Sequence, residues 1–273
     1  MKAYVFTAYG GPEVESYAEV PRPAPGAGQL LVAVHAAGVV AALGDGVTGF
    51  AVGDAVFGNT DDGGFSEYAL LPVEVTAHKP AALSFTDAAT LPVAAATGYD
   101  GVRQLALPPG ATLLINGVGG GVGVAAAQIA RHQGLTVVGT ASAAKKDFVT
   151  ALGVTHVAYG PGVAMRIRAA APQGIDGIYD QVGGQALDDV APLLADRSKL
   201  VSAGDRATVA RLGGAFVARA RNREVLDTVA QLVVSGALNP YVTDVFPLDA
   251  AAQALRKVEE GHVQGKVVIE VVQ

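Results

Sequence analysis

The stretch Thr112-Leu113-Leu114-Ile115-Asn116-Gly117-Val118-Gly119-Gly120-Gly121-Val122-Gly123 decides the fold. Thr112–Asn116 reads as a buried strand, and the glycines that follow it read as a tight turn. Beyond the turn, Val122, Ala125, Ala126 and Ile129 share one apolar face of a helix, with Gln128, Arg131 and His132 on the polar face. Strand, glycine turn and helix in this order present the unpaired N–H groups and the positive dipole end of the helix start. Missing side chains let an anion approach them. A dinucleotide pyrophosphate needs that arrangement. Gly120 and Gly123 fit the second and third positions of the G-x-G-x-x-G pattern, while Val118 stands where the first glycine belongs.

Working outward, strands alternate with helical or loop segments from Ala111 onward. Strand candidates are Thr112–Asn116, Leu135–Thr140, His156–Tyr159, Ile175–Asp180 and Lys199–Ser202, and a further helix runs from Asn222 to Ser235. Alternation of this kind with Val/Ile/Leu-rich strands implies an α/β fold with a parallel, doubly wound Rossmann sheet. The N-terminal part has another grammar. Lys2–Phe6, Val14–Val20, Leu30–His35, Ala55–Phe57 and Phe65–Leu71 read as short strands separated by turn signals such as Gly10-Gly11-Pro12 and Gly53-Asp54. That spacing suits an irregular β-barrel. Ser84-Phe85-Thr86-Asp87 has capping-box spacing and opens a helix interrupted near Pro92. At the end, Tyr241–Phe246 and Val267–Val271 read as strands around a helix with Leu248, Ala251, Ala252 and Leu255 on one side.

The second strand of the alternating region ends Val138-Gly139-Thr140-Ala141-Ser142 with no carboxylate. An NAD site places Asp or Glu there to hold the ribose 2′-hydroxyl. Ser142, Lys145 and Lys146 follow instead, which suits a 2′-phosphate and hence NADP. Each charge-assisted hydrogen bond contributes about 1.5–3 kcal/mol, so two favour NADP by at least several tens-fold.

Composition narrows the chemistry. The 273 residues contain no cysteine, which removes disulfides, thiolate zinc sites and a cysteine nucleophile together. A net charge of −6 without runs of like charge speaks against nucleic-acid and anionic-membrane surfaces. No apolar run reaches the length of a bilayer span, and the start lacks a secretory pattern, so a cytoplasmic location is expected. None of the eight tyrosines has a lysine four residues later, so a Tyr–Lys proton donor pair of that spacing is missing too.

With these exclusions the chain resembles the zinc-independent NADPH:quinone oxidoreductase branch, zeta-crystallin-like, of the medium-chain dehydrogenase/reductase superfamily. The resemblance rests on Met1–Gly11, Val32–Val39, Gly46–Gly58, Leu91-Pro92-Val93 through Thr97-Gly98-Tyr99, the Gly119–Gly123 turn, Asp180-Gln181-Val182-Gly183-Gly184, and Val245–Leu248 through Gly261–Val268. It implies a GroES-like barrel domain from residues 1–95 and 240–273, with the Rossmann domain, 96–239, inserted. It also implies site roles: Thr97 toward the nicotinamide end, and Gly120, Gly121, Val122 and Gly123 at the pyrophosphate. Ser142, Lys145 and Tyr159 would surround the 2′-phosphate, and Val182 and Ala203 the nicotinamide ribose. A homodimer is implied as well. No metal is expected, and no catalytic side chain is assigned; Tyr99 is the nearest proton donor by sequence.

The chain departs from the family in one place. After Ala36-Ala37-Gly38-Val39 the family continues with an Asn-Pro-x-Asp stretch, a loop and a return strand, whereas here Val39 runs straight into Val40-Ala41-Ala42-Leu43-Gly44. Either a disordered segment is left out of the chain as written, or the deletion is real, natural or engineered. The first alternative leaves an NADPH-dependent reductase of quinones, enones or other small carbonyls. The second leaves a non-catalytic NADP(H)-binding sensor or scaffold. A structural or RNA-binding role has family precedent alone, and the acidic balance argues against RNA.

Overall fold

The computed structural model describes residues 1–6, 12–60, 63–261 and 263–271; the expected turn at Gly10-Gly11 and the motif residue His262 lie outside them. The chain forms two compact units. One comprises Met1–Pro92, Arg221–Val234 and Pro240–Gln273, the other Val93–Ala220 and Ser235–Asn239.

In the first unit, β1 (Lys2–Phe6) pairs antiparallel with β2 (Glu15–Glu19). A five-stranded sheet follows from β3 (Gln29–Val34), β4 (Gly38–Leu43), β5 (Ala55–Gly58), β6 (Tyr68–Pro72) and β7 (Thr76–His78), in the order β6-β3-β4-β5-β7. Strand β4 occupies the place where the sequence departs from the family. It pairs with β3 from Val34↔Gly38 to Leu30↔Leu43, so three residues close the hairpin. Gly38 is required there: a Cβ would lie 2.3 Å from the Ala33 carbonyl oxygen. Helix α1 (Phe85–Thr90) starts as the capping spacing predicts, with the Ser84 hydroxyl accepting the Asp87 N–H at 2.9 Å. Proline lacks the N–H a helix interior needs, and Leu91–Ala95 accordingly widens into a π-helical stretch before α2 (Ala96–Leu105).

The second unit carries the parallel sheet. Its strands are β8 (Thr112–Asn116), β9 (Thr136–Ala141), β10 (Thr155–Ala158), β11 (Gly177–Asp180), β12 (Leu200–Ser202) and β13 (Ala215–Phe216). All run parallel in the order β10-β9-β8-β11-β12-β13. Between them lie α3 (Gly121–His132), α4 (Lys146–Ala151), α5 (Val163–Ala170), α6 (Gly184–Val190) and α7 (Arg206–Arg211). Strands β11 and β12 are buried along their whole length, as a sheet covered on both faces demands. Leu114, Val138, Ile167, Ile178, Leu187 and Val209 form one core across this unit. The strand order reverses between β8 and β11. In open α/β sheets that reversal makes the crevice in which ligands bind.

The chain then returns to the first unit through α8 (Arg223–Val234), β14 (Val242–Pro247), α9 (Ala251–Glu259) and β15 (Lys266–Glu270), with β14 and β15 paired in parallel. Leu248, Ala251 and Val271 share a core with Leu30, Val32 and Val56 of the N-terminal sheet. The sequence places 222–239 with the Rossmann domain; in the structure α8 packs on β7 and belongs to the first unit.

Candidate functional site

The turn after β8 sits at the carboxyl edge of the sheet, beside the strand-order reversal. Gly117 turns the chain with φ of 89°, which a residue with a Cβ rarely adopts. The chain can therefore turn one residue before the place the G-x-G-x-x-G pattern gives to its first glycine. Val118, which occupies that place, is fully buried and points inward. It fits because the neighbouring strand carries Gly139, where a Cβ would come within 2.5 Å of Val118 Cγ1. The Val118 N–H donates to the Thr140 carbonyl at 3.0 Å, fixing the turn to β9.

Helix α3 then starts at Gly121 with Gly120 as its N-cap and with no side-chain cap. The N–H groups of Gly121, Val122 and Gly123 belong to the first turn, where a helix supplies no carbonyl partner. A Cβ on Gly120 would meet nothing nearer than the Gly117 oxygen at 3.8 Å, so the helix start is open above it. Gly123 is different: its Cβ would collide with the Gly117 oxygen at 2.5 Å and Val118 Cα at 2.7 Å. Open space, uncapped amides and a glycine that lets turn and helix touch together fit a pyrophosphate.

Lys145 lies across this turn. Its Cδ would be 2.7 Å from a Cβ on Gly119, and its Nζ donates to the Gly119 carbonyl at 3.2 Å. Burial holds its ammonium below the usual lysine range. Ser142 leads the short 3-10 turn Ala143–Lys145, and its carbonyl accepts the Lys145 N–H at 3.0 Å. Lys146 opens α4 and is exposed. Tyr159, just past β10, is 64% exposed. The loop that carries it is fastened by Arg166, whose guanidinium donates to the carbonyls of Ala158, Gly160 and Pro161 at 2.8–3.2 Å. On the other flank, Val182 packs against Gly117, where an added Cβ would meet Val182 Cγ2 at 2.8 Å. Ala203 follows β12 and donates its N–H to the Asp180 carbonyl at 2.8 Å. Thr97 is buried in α2, and its carbonyl accepts the Tyr179 hydroxyl at 2.7 Å. Gly98, next to it, lies against the start of α3, 2.9 Å from the Ala126 nitrogen by its would-be Cβ.

The structure brings together a further set that sequence reading missed. Thr140, Asn116, Asp180 and Ser202 sit at the ends of four adjacent strands, in register and buried. Asn116 Nδ2 donates to Asp180 Oδ1 at 2.8 Å, and Ser202 Oγ donates to Asp180 Oδ2 at 2.6 Å. The Val182 and Gly183 N–H groups also donate to this carboxylate, at 3.0–3.2 Å. Thr140 Oγ1 donates to Asn116 Oδ1 at 2.6 Å while accepting the Gly117 N–H at 3.0 Å. Ser202 Oγ accepts the N–H groups of Gly204 and Asp205 at 3.0 and 3.1 Å. One buried row thus holds the backbone of three crest loops. The sequence signal was a polar residue ending each apolar strand. Nearby, hydrogen bonds from Thr208 and from the Gly184 N–H pull the Asp205 carboxyl down to about 2. Among the described residues there is no group of three or more His, Cys, Asp or Glu able to hold a metal ion.

A six-stranded parallel sheet in this order, with a bare helix start at its reversal, defines a doubly wound dinucleotide-binding domain. Residues 152–269 match the family model described as zinc-binding dehydrogenase. The chain is 35% identical over 252 residues to polyketide synthase GfsB of Streptomyces halstedii, which covers 86% of this chain but 4% of that much longer protein. It is 28% identical over 339 residues to the synaptic vesicle membrane protein VAT-1 homolog of Rattus norvegicus, covering 98% of this chain and 84% of that protein. That alignment is longer than the 273 residues of this chain, so the relative extends through positions this chain lacks. The solved quinone oxidoreductase from Coxiella burnetii superposes with a TM-score of 0.89 at 26% identity, over 100% of this chain and 99% of that one. In fold and sequence the chain is thus similar to oxidoreductases of the medium-chain dehydrogenase/reductase type, solved quinone oxidoreductases among them.

Proposed function

We propose that this chain is an NADPH-dependent reductase that passes a hydride, without a metal, to a quinone, an enone or another small carbonyl acceptor. The observation that carries the reading is the uncapped start of α3 beneath the Gly117–Gly123 turn, with Lys145 lying across it. Pyrophosphate oxygens would take the amides of Gly121, Val122 and Gly123. Strand β9 ends at Ala141 and Ser142 follows, without a carboxylate, so nothing there repels a 2′-phosphate. Ser142, Lys145, Lys146 and Tyr159 stand on that side. The absence of cysteine from the sequence removes a thiolate zinc site. When bound, NADPH supplies the hydride, and NADPH, one proton and the acceptor become NADP+ and the reduced acceptor. The protein's part is to hold the nucleotide and orient it, which accounts for much of the rate when two reactants are fixed together. Water is the proton source in this reading. A homodimer through an outer strand of the parallel sheet, β10 or β13, would cover an exposed sheet edge.

A second reading, NADP(H) binding without turnover, is favoured by one observation. Three residues close the β3–β4 hairpin at the place where the family pattern continues into a longer segment. The two readings part in a single assay. Mixed with NADPH and a panel of simple quinones and enones, the protein is expected to consume the reduced nucleotide with at least one of them. Binding of NADPH without consumption by any acceptor would select the second reading.

A further inference from the structure

The buried row at the carboxyl edge contains a net charge. Asp180 is fully buried, and four donors converge on its two oxygens: Asn116 Nδ2, Ser202 Oγ, and the N–H groups of Val182 and Gly183. Four donors satisfy a carboxylate's lone pairs and leave no acceptor for a carboxyl proton. Among the described residues no cation forms an ion pair with it. Dipoles stabilise such a charge without cancelling it, and surrounding protein screens it far less than water does.

Its place in the sheet gives that charge a direction. A doubly wound sheet of this order consists of two mononucleotide-binding halves on either side of the reversal. Here β8, β9 and β10 make the first, which carries the glycine turn and Lys145, and β11, β12 and β13 make the second. Asp180 ends β11 and holds the amides of the loop after it, so it lies under the nicotinamide half. The nicotinamide ring is the part of the nucleotide whose charge changes in hydride transfer, neutral when reduced and positive when oxidised. The other anion of this crest, Asp205, is partly exposed and more strongly screened.

We infer that the buried Asp180 carboxylate biases the site toward the oxidised, cationic nicotinamide, making Asp180 a determinant of which redox form of the nucleotide is held more tightly. The bias rests on the nucleotide reading above and favours release of hydride to the acceptor. It also separates two roles for the row: the charge discriminates between redox forms, whereas the hydrogen bonds serve both alike.

The test is calorimetric titration of the full chain with NADP+ and with NADPH separately, for the wild type, Asp180→Asn and Ser202→Ala. Asp180→Asn keeps the side-chain volume and removes the charge, at the cost of setting its amide nitrogen against the Gly183 N–H and a Ser202 oxygen that already accepts two N–H groups. It is expected to raise the Kd of NADP+ relative to that of NADPH by roughly fivefold or more, the order of one unit charge acting through an effective dielectric near 20. Ser202→Ala, which disturbs the row but keeps the charge, is expected to move both constants together. If Asp180→Asn weakens both nucleotides equally, the row is scaffolding and the bias is wrong. If the wild type binds neither nucleotide, the nucleotide reading itself fails. Should Asp180→Asn not fold, the wild type decides: between about 0.05 and 0.5 M salt both affinities are expected to fall while their ratio holds, since a buried charge escapes screening. A ratio that drifts with salt would overturn the assignment.

Discussion

Gly123→Ala is expected to lower NADPH affinity by about 100-fold or more while the protein remains folded. The new Cβ would stand 2.5 Å from the Gly117 oxygen and 2.7 Å from Val118 Cα, and both are backbone atoms. Neither can swing aside as a side-chain end does, so the turn must lift off the helix. Alanine gains up to about 1 kcal/mol of helix propensity over glycine, against about 1–3 kcal/mol for overpacking. The net cost to stability is therefore small. A hundredfold in affinity corresponds to about 2.8 kcal/mol at 1.4 kcal/mol per tenfold, which misplaced amides readily account for. Gly120→Ala is the control within the same experiment. Its Cβ meets no protein atom closer than 3.8 Å, and its φ of −94° suits any residue, so only the ligand would feel it. Loss of binding with a thermal midpoint lowered only slightly would locate the phosphate above Gly120. Unchanged affinity in both variants would remove the phosphate from this turn.

The second large effect is on stability. Asp180→Ala strands the Asn116 amide, the Ser202 hydroxyl and the N–H groups of Val182 and Gly183, all of which now donate to one buried carboxylate. A buried donor left without a partner costs about 1–3 kcal/mol. The Ser202 hydroxyl can rotate, and water can enter the space left, so a total of about 4 kcal/mol is expected rather than the full sum. That is a large share of the roughly 5–15 kcal/mol by which a domain is stable. Denaturant unfolding followed by circular dichroism checks it. A loss below about 1 kcal/mol would mean that the row does not hold the crest together.

Much of this fold was legible because the signals were local. Thr112–Asn116 is a strand to the residue, the capping spacing at Ser84 is used as expected, and the glycine turn opens α3 at Gly121. The missed elements depend on partners that sequence does not display. Strand β4 needs β3 and β5 on either side of it, and β13 is two residues long beyond the turn at Gly213-Gly214. Val118 looked like a departure from the glycine pattern. Its explanation is Gly139, 21 residues away in sequence and directly across the sheet. The buried row went unseen for a related reason. Asn116, Thr140, Asp180 and Ser202 are separate strand ends in the sequence, and only the strand order makes them neighbours. Helix α8 shows the converse: its helical pattern was legible, but the resemblance put it in the Rossmann domain, and its packing on β7 places it in the first unit.

Calorimetric titration of the intact chain with NADPH and, in parallel, NADH tests the central claim most directly. Bare amides at the start of α3 gripping a diphosphate, with Ser142 and the lysines after β9 receiving a 2′-phosphate, predict micromolar binding of NADPH and an affinity for NADH weaker by at least several tens-fold. Heat from neither nucleotide, or tighter binding of NADH, would contradict it.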